Sequence, residues 1–332
     1  MATGQSHVPV TRPMAMRPVD GAQGLAAILG GSPAIESIRN QISRVARASC
    51  GVLITGETGT GKELAAAAIH QCGPRANRPF VSINCAALPE SLLESELFGY
   101  TKGAFTGALQ SRAGLLAGSD GGTVFLDEVG DLCLTGQAKL LRALEAKEVR
   151  RLGSNLTHSV DFRVVAATNR SLEERVQTGE FRQDLYYRLN VARVHLPPLR
   201  DRIEDVPELV AHYIRILNRE FSIRIEEVDP GVLECLARYD WPGNIRELRN
   251  TLEVGYLNCQ PPHLRVQDLP RHFRDRCQPP FPPEGASEET VILSALREVD
   301  WNKSKAARKL HWSRMTLYRK LKRYGLADRP AR

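Results

Sequence analysis

Residues 52–64 read VLITGETGTGKEL, and no other stretch limits the possible folds of this chain as strongly. An apolar run leads into Gly56-x-x-x-x-Gly61-Lys62, and a helix-forming segment follows. Strand, glycine loop and helix in that order build a phosphate cradle. The glycines let the backbone turn several N–H groups inward, the helix adds the positive end of its dipole, and the lysine reaches the outer phosphates. The candidate cradle is Gly56, Glu57, Thr58, Gly59, Thr60, Gly61, Lys62 and Glu63. Such loops usually end in Ser or Thr, whose hydroxyl holds magnesium, but Glu63 stands there.

From Leu25 to Leu199, Val/Ile/Phe-rich runs (PFVSINC, GTVFLDE, DFRVVAATN) alternate with helical stretches (KELAAAAIHQ, QAKLLRALEA). That alternation predicts a parallel sheet with flanking helices. One run ends in Asp127-Glu128, where the first carboxylate can hold magnesium and the second can polarise an attacking water. Another ends in Thr168-Asn169, a polar edge suited to sensing a terminal phosphate. After Pro197-Pro198 the periodicity becomes helical throughout. The expected domains are a disordered leader at 1–24, an α/β domain at 25–200 and an all-helical lid at 201–275. A Pro-rich linker at 276–286 and a basic helical module at 287–332 complete them.

Charge is unevenly placed. The chain carries +7 overall, yet residues 303–332 alone carry +10, so the remainder is slightly acidic. A basic end on an acidic body predicts a polyanion-binding module. No apolar stretch is long enough to span a membrane and the N-terminus has no secretion-signal core, which predicts a cytoplasmic protein without membrane partners. Seven scattered cysteines with no C-x-x-C pair indicate reduced thiols rather than a disulfide framework or a zinc site.

Between the two acidic and glycine motifs stands Gly103-Ala104-Phe105-Thr106-Gly107-Ala108, preceded by ESELFGYTK. With GE-x-GTGKE, this string resembles the AAA+ ATPase activators of sigma-54 RNA polymerase, the bacterial enhancer-binding proteins. The resemblance covers about residues 28–260 and accounts for Glu63, since the family's phosphate loop ends the same way. It implies an AAA+ P-loop ATPase fold, ATP and Mg2+ as cofactors, and a ring, hexameric and open to a paralogue, acting on sigma-54 holoenzyme. It further implies that Asn84 couples nucleotide state to Glu128, and that Arg182 and Arg188 in FRQDLYYRLN reach a neighbour's active site. Arg246 in WPGNIRELRN would contact nucleotide, while the 103–108 loop would engage sigma-54. Read from the residues alone, Asn244 is a plausible helix N-cap.

At the C-terminus, a helix begins near Asn302-Lys303 with Ala306, Ala307 and Leu310 as its apolar face. A second, RMTLYRKLKRYGL, buries Leu317, Leu321 and Tyr324. Two short helices with a basic second one predict a helix-turn-helix. It resembles the Fis-type module of the same family, with His311 at the usual turn glycine, and implies upstream enhancer DNA as a partner. Arg314, Thr316 and Arg319 are the expected base contacts; Lys303, Lys305, Lys320 and Lys322 are expected on phosphates, and Arg323 faces out beside them.

Two other readings stay open. One is a DNA-binding regulator that uses ATP only to assemble and does not act on sigma-54. The other is an AAA+ remodeler of a different substrate, which leaves Phe105-Thr106 and the basic tail without a role. With no receiver or ligand-sensing domain before Leu25, control is expected from expression level, a separate inhibitor or co-activator, or a paired paralogue.

Overall fold

The apolar runs join into one five-stranded parallel sheet. The computed structural model describes residues 21–221, 224–271, 273–274, 288–299, 301–310, 312, 314–324 and 326. The leader before residue 21, the linker at 276–286, His311 and the side chain of Arg314 lie outside the described residues. Two compact units emerge: Met1–Arg215 with Asp240–Asn250, and Ile216–Tyr239 with Thr251–Arg332.

The first unit opens with α1 (Gly21–Ala26), a helix that begins inside the expected leader, and α2 (Pro33–Ala46). Then come β1 (Val52–Thr55), α3 (Lys62–Gln71), β2 (Phe80–Asn84), α4 (Glu90–Phe98), the paired β3 (Gly99–Tyr100) and β4 (Arg112–Ala113), and α5 (Leu115–Gly118). They are followed by β5 (Thr123–Asp127), α6 (Leu134–Glu145), the paired β6 (Glu148–Arg150) and β7 (Thr157–Ser159), β8 (Arg163–Thr168), α7 (Leu172–Gln177), α8 (Gln183–Leu189) and β9 (Ala192–His195).

The sheet order is β2-β5-β8-β1-β9. Successive side chains alternate between its faces. Leu53, Val124, Leu126, Val164 and Ala166 therefore pack with α4, α6 and α8, whereas Val52, Ile54, Phe125, Val165 and Ala167 pack with α2 and α3. Both faces are covered, so the inner strands β1, β5 and β8 are buried along almost their whole length, as parallel sheets require, while the edge strands β2 and β9 expose Ser82, Asn84, Arg193 and His195. Burying each such side chain contributes about 1.5–3 kcal/mol. Helix α2 starts where Ser32 Oγ accepts the Ile35 N–H and Pro33 opens the first turn, and it buries Ile35, Ile38, Ile42 and Ala46 at helical spacing. Register places Thr55 beside Thr168 and Asn84 beside Asp127, so the polar strand ends gather along one edge.

Helix α9 (Val206–Phe221) follows. The second unit contains β10 (Glu227–Val228) and α10 (Pro230–Ala237), then the later turns of α11 (Asn244–Asn258) and β11 (His263–Leu264). β10 and β11 pair in parallel, so this segment is not wholly helical as the periodicity predicted; two-residue strands leave no alternation to read. Three helices complete it: α12 (Glu288–Glu298), α13 (Lys303–Lys309) and α14 (Arg314–Arg323). They share a core of Ile292, Ala295, Leu296, Ala306, Ala307, Leu310, Leu317, Leu321 and Leu326. Asn302 Oδ1 accepts the N–H groups of Ser304 and Lys305 and starts α13. The Trp312 N–H donates to the Ala307 carbonyl and closes the α13 end of the turn.

Candidate functional site

β1 delivers the chain into the glycine loop, and close packing decides where glycine is needed. Gly59 lies at φ +81, and a Cβ there would stand 2.3 Å from the Gly243 carbonyl. Gly61, at φ +102, precedes α3 without any side-chain cap, leaving the first-turn N–H groups of a ten-residue helix to an anion. Lys62 is buried; its Nζ donates to the carbonyls of Gly56 (3.1 Å) and Glu57 (3.3 Å) and stands 3.5 Å from Glu128 Oε1. Thr60 Oγ1 donates to the Glu57 carbonyl, and Glu63 is exposed on the first turn of α3. This geometry fits a polyphosphate.

Asp127 ends β5 and Glu128 follows it, beside the loop. Asn84 Nδ2 donates to Asp127 Oδ2 at 3.3 Å, whereas the resemblance linked Asn84 to Glu128. Glu128, at φ +50, accepts the Asn169 N–H on Oε2, and Asn169 Nδ2 donates to Thr58 Oγ1 at 2.9 Å. Thr168 is fully buried and its hydroxyl accepts the Arg170 N–H, so of the expected sensing pair Asn169 is the one bonded to the loop. Burial first, then the charge of Glu128, raises the Asp127 carboxyl above its ordinary value, against the pull of Lys62. Two carboxylates facing one lysine leave uncompensated negative charge, and their oxygens suit a hard divalent cation such as Mg2+.

Three side chains that the sequence did not single out for the loop hold it from behind. Arg200 binds Glu57 with two hydrogen bonds, 2.6 and 2.9 Å. Asn244 donates to Glu57 Oε2 (3.1 Å) and to the Thr58 carbonyl (3.0 Å), while its own Oδ1 accepts the Leu199 N–H (2.8 Å). Its side chain therefore serves the loop rather than capping α11. Buried Arg202 donates to the Thr60 carbonyl. Arg200, then Asn244, holds the Glu57 carboxyl down at about 2. Arg246 is exposed in the first turn of α11, with its Cβ packed beside Gly59.

Arg182 and Arg188 are both exposed, flanking and within α8. Arg182 forms a two-pronged pair with Asp184 (2.7 and 3.0 Å) in an open groove lined with Gln183 and Tyr187. Arg188 donates to the Leu144 carbonyl.

Residues 103–108 lie between β3 and β4. The Gly103 N–H donates to the Ala108 carbonyl and the Ala108 N–H to the Phe105 carbonyl, closing a tight loop that uses Gly103 at φ +83 and Gly107 at φ +103. Ala108 is buried, Ala104 packs near Gly153, Thr106 is exposed, and Phe105 is 44% exposed with its ring edge on Tyr100. Leu109, next to the loop, is more exposed still at 80%.

In the helix-turn-helix, Lys305, Arg319 and Arg323 are exposed. Thr316 is half-buried, and Lys303 lies over the Tyr318 ring. Lys320, expected on a phosphate, is instead ion-paired with Glu288 and lies 4.8 Å from the Trp312 ring centre.

Three family descriptions match in succession: the Sigma-54 interaction domain over residues 28–195, the AAA+ ATPase lid domain over 200–284, and the Bacterial regulatory protein, Fis family, over 286–324. The chain belongs to the sigma-54-dependent activator family. In this chain the sigma-54 interaction domain, the lid and the Fis-type helix-turn-helix follow one another in that order. The chain is 46% identical to the transcriptional regulatory protein ZraR of Salmonella typhimurium over 301 residues, 89% of this chain and 68% of that one. It is 42% identical to the DNA-binding transcriptional regulator NtrC of Escherichia coli K12 over 335 residues, 90% of this chain and 70% of that one. Crystalline NtrX from Brucella abortus, in complex with ADP, superposes with a TM-score of 0.72 at 31% identity, covering 92% of this chain and 71% of that one. Among the described residues, no helix is long and apolar enough to cross a membrane.

Proposed function

We propose that this chain hydrolyses ATP and uses the cycle, through residues 103–108, to remodel sigma-54 holoenzyme closed complexes from upstream DNA sites. Bound ATP with Mg2+ supplies the phosphoryl group and a local positive charge. The loop amides and Lys62 bind the phosphates, Asp127 takes the metal, and Glu128, oriented by the Asn169 amide, accepts a proton from the attacking water. Asn84 positions Asp127, and Arg246 faces the nucleotide from α11. Arg182 and Arg188 act on a neighbouring subunit's phosphate in a ring, which makes hydrolysis depend on assembly. NtrX in complex with ATP, 32% identical to this chain, supports the choice of nucleotide.

One observation carries this reading: Lys62, Asp127 and Glu128 close on the glycine loop in the same compact unit that exposes the Phe105-Thr106 tip. The test is promoter opening by purified chain, core polymerase and sigma-54 on DNA with its upstream region, with ATP or a non-hydrolysable analogue. Opening with ATP alone is expected. No opening, despite ATP hydrolysis and DNA binding, would mean either a missing partner subunit or a DNA-binding regulator that does not act on sigma-54.

A further inference from the structure

Helix α14 presents a face to solvent that its charges alone do not describe. Leu317 and Leu321 are fully buried and Tyr324 is half-buried, its hydroxyl donating to Glu288 at 2.5 Å. At about 100° per residue, Met315 and Arg319 point within about 30° of the direction opposite these three. Lys322 lies beside them, with Tyr318 and Arg323 on the two flanks. Met315 is 77% exposed and Tyr318 51% exposed, while Arg319 and Lys322 are exposed as well. Thr316, half-buried, lies on the Arg323 flank, and Lys320 lies toward the core side. The Lys320 ammonium is held by Glu288 and Trp312, and Lys303 of α13 covers the Tyr318 ring at 5.5 Å, drawing that ring to the edge of the face.

A recognition helix meets base edges through its first turns, at the centre of its outward face. That centre is a methionine followed one turn later by an arginine. In the major groove, guanine offers two acceptors to an arginine fork, and thymine alone offers a methyl group to an apolar side chain. The +10 carried by residues 303–332 suits duplex DNA as the occupant.

We propose that Met315 and Arg319 are the base-reading pair of α14, Met315 packing on a thymine 5-methyl group and Arg319 bonding a nearby guanine in the major groove. This rests on the DNA-binding reading of the helix-turn-helix. Four residues of helix span about 6 Å, so the two bases lie roughly two base-pair steps apart. Lys322, Arg323 and the Lys303–Tyr318 pair flank the reading centre and serve the phosphates, which carry no sequence information.

Duplexes selected from a random pool by the intact chain supply the site, and each thymine in it is then replaced by uracil. Uracil removes the methyl and leaves every hydrogen-bonding group in place. At one thymine per half-site, uracil should weaken the unmodified protein about 3- to 5-fold. Met315→Ala should lose that difference at the same thymine, and Arg319→Ala should flatten the guanine preference by about tenfold or more. Lys322→Ala should weaken all sequences alike and lower the salt dependence. Tolerance of uracil at every thymine, or a uracil penalty that survives Met315→Ala, overturns the pairing. Recovery of no sequence from the pool would instead overturn the DNA-binding reading on which it rests.

Discussion

At the phosphate loop the polar side chains are already held: Lys62 by two carbonyls and Glu128, Glu57 by Arg200 and Asn244, and Asn169 by Thr58. At residues 103–108, in the same unit, the loop is closed by backbone hydrogen bonds, and Phe105 leans on Tyr100 while Thr106 faces solvent. Under the proposed function, the contrast corresponds to two kinds of work. Charge that develops during phosphoryl transfer is stabilised best by groups that need not reorganise, whereas a segment that meets a partner and changes position must open at low cost.

The largest expected effect breaks both regions together. Lys62→Ala removes the buried cation and should lower phosphate release by at least about 100-fold, taking promoter opening with it; undiminished hydrolysis would remove the loop from the chemistry. Thr106→Ala should separate the two, lowering promoter opening by about tenfold or more while hydrolysis stays within about twofold. Equal loss of both would mean that the 103–108 loop braces the ATP site.

A smaller effect sharpens the account of the held side. Asn244→Ala strands the buried Leu199 N–H and the Thr58 carbonyl, so a loss of about 1–3 kcal/mol in denaturant unfolding is expected, with a raised KM for ATP. An unchanged KM would mean that Asn244 supports the fold without setting the loop. The smallest effect concerns Glu57, whose carboxyl lies at about 2 instead of its usual 4.5. A depressed carboxyl stabilises the fold above its unfolded value, and that stabilisation is lost as pH falls from about 4.5 toward 2. Because the pair with Arg200 is part-exposed and screened, Glu57→Gln should cost under about 1 kcal/mol at neutral pH. Stability measured against pH should show the two proteins converging across that window.

Much of the fold was legible because its signals are local. The runs at β1, β5 and β8 carry apolar residues on both faces, which reads as a covered parallel sheet, and the spacing of Ala306, Ala307, Leu310, Leu317 and Leu321 shows two packed helices. Arg200 and Asn244 were not legible as loop partners: they lie 143 and 187 residues from Glu57, and nothing in their neighbours marks them. The short pair β10–β11 was missed for want of periodicity. The pairing of Lys320 with Glu288 was missed because a basic helix shows its charges but not which of them meets an acid elsewhere.

By itself, then, the sequence determined the strand-loop-helix of the phosphate cradle, the acidic strand end and the basic two-helix tail, since each depends on neighbouring residues and on the fixed periods of helix and strand. The tertiary structure alone decided that Asn84 meets Asp127, that Asn169 rather than Thr168 is bonded to the loop, and that Lys320 is taken by Glu288. Those outcomes depend on sheet register and on how segments far apart in the chain pack, and residue spacing carries no record of either.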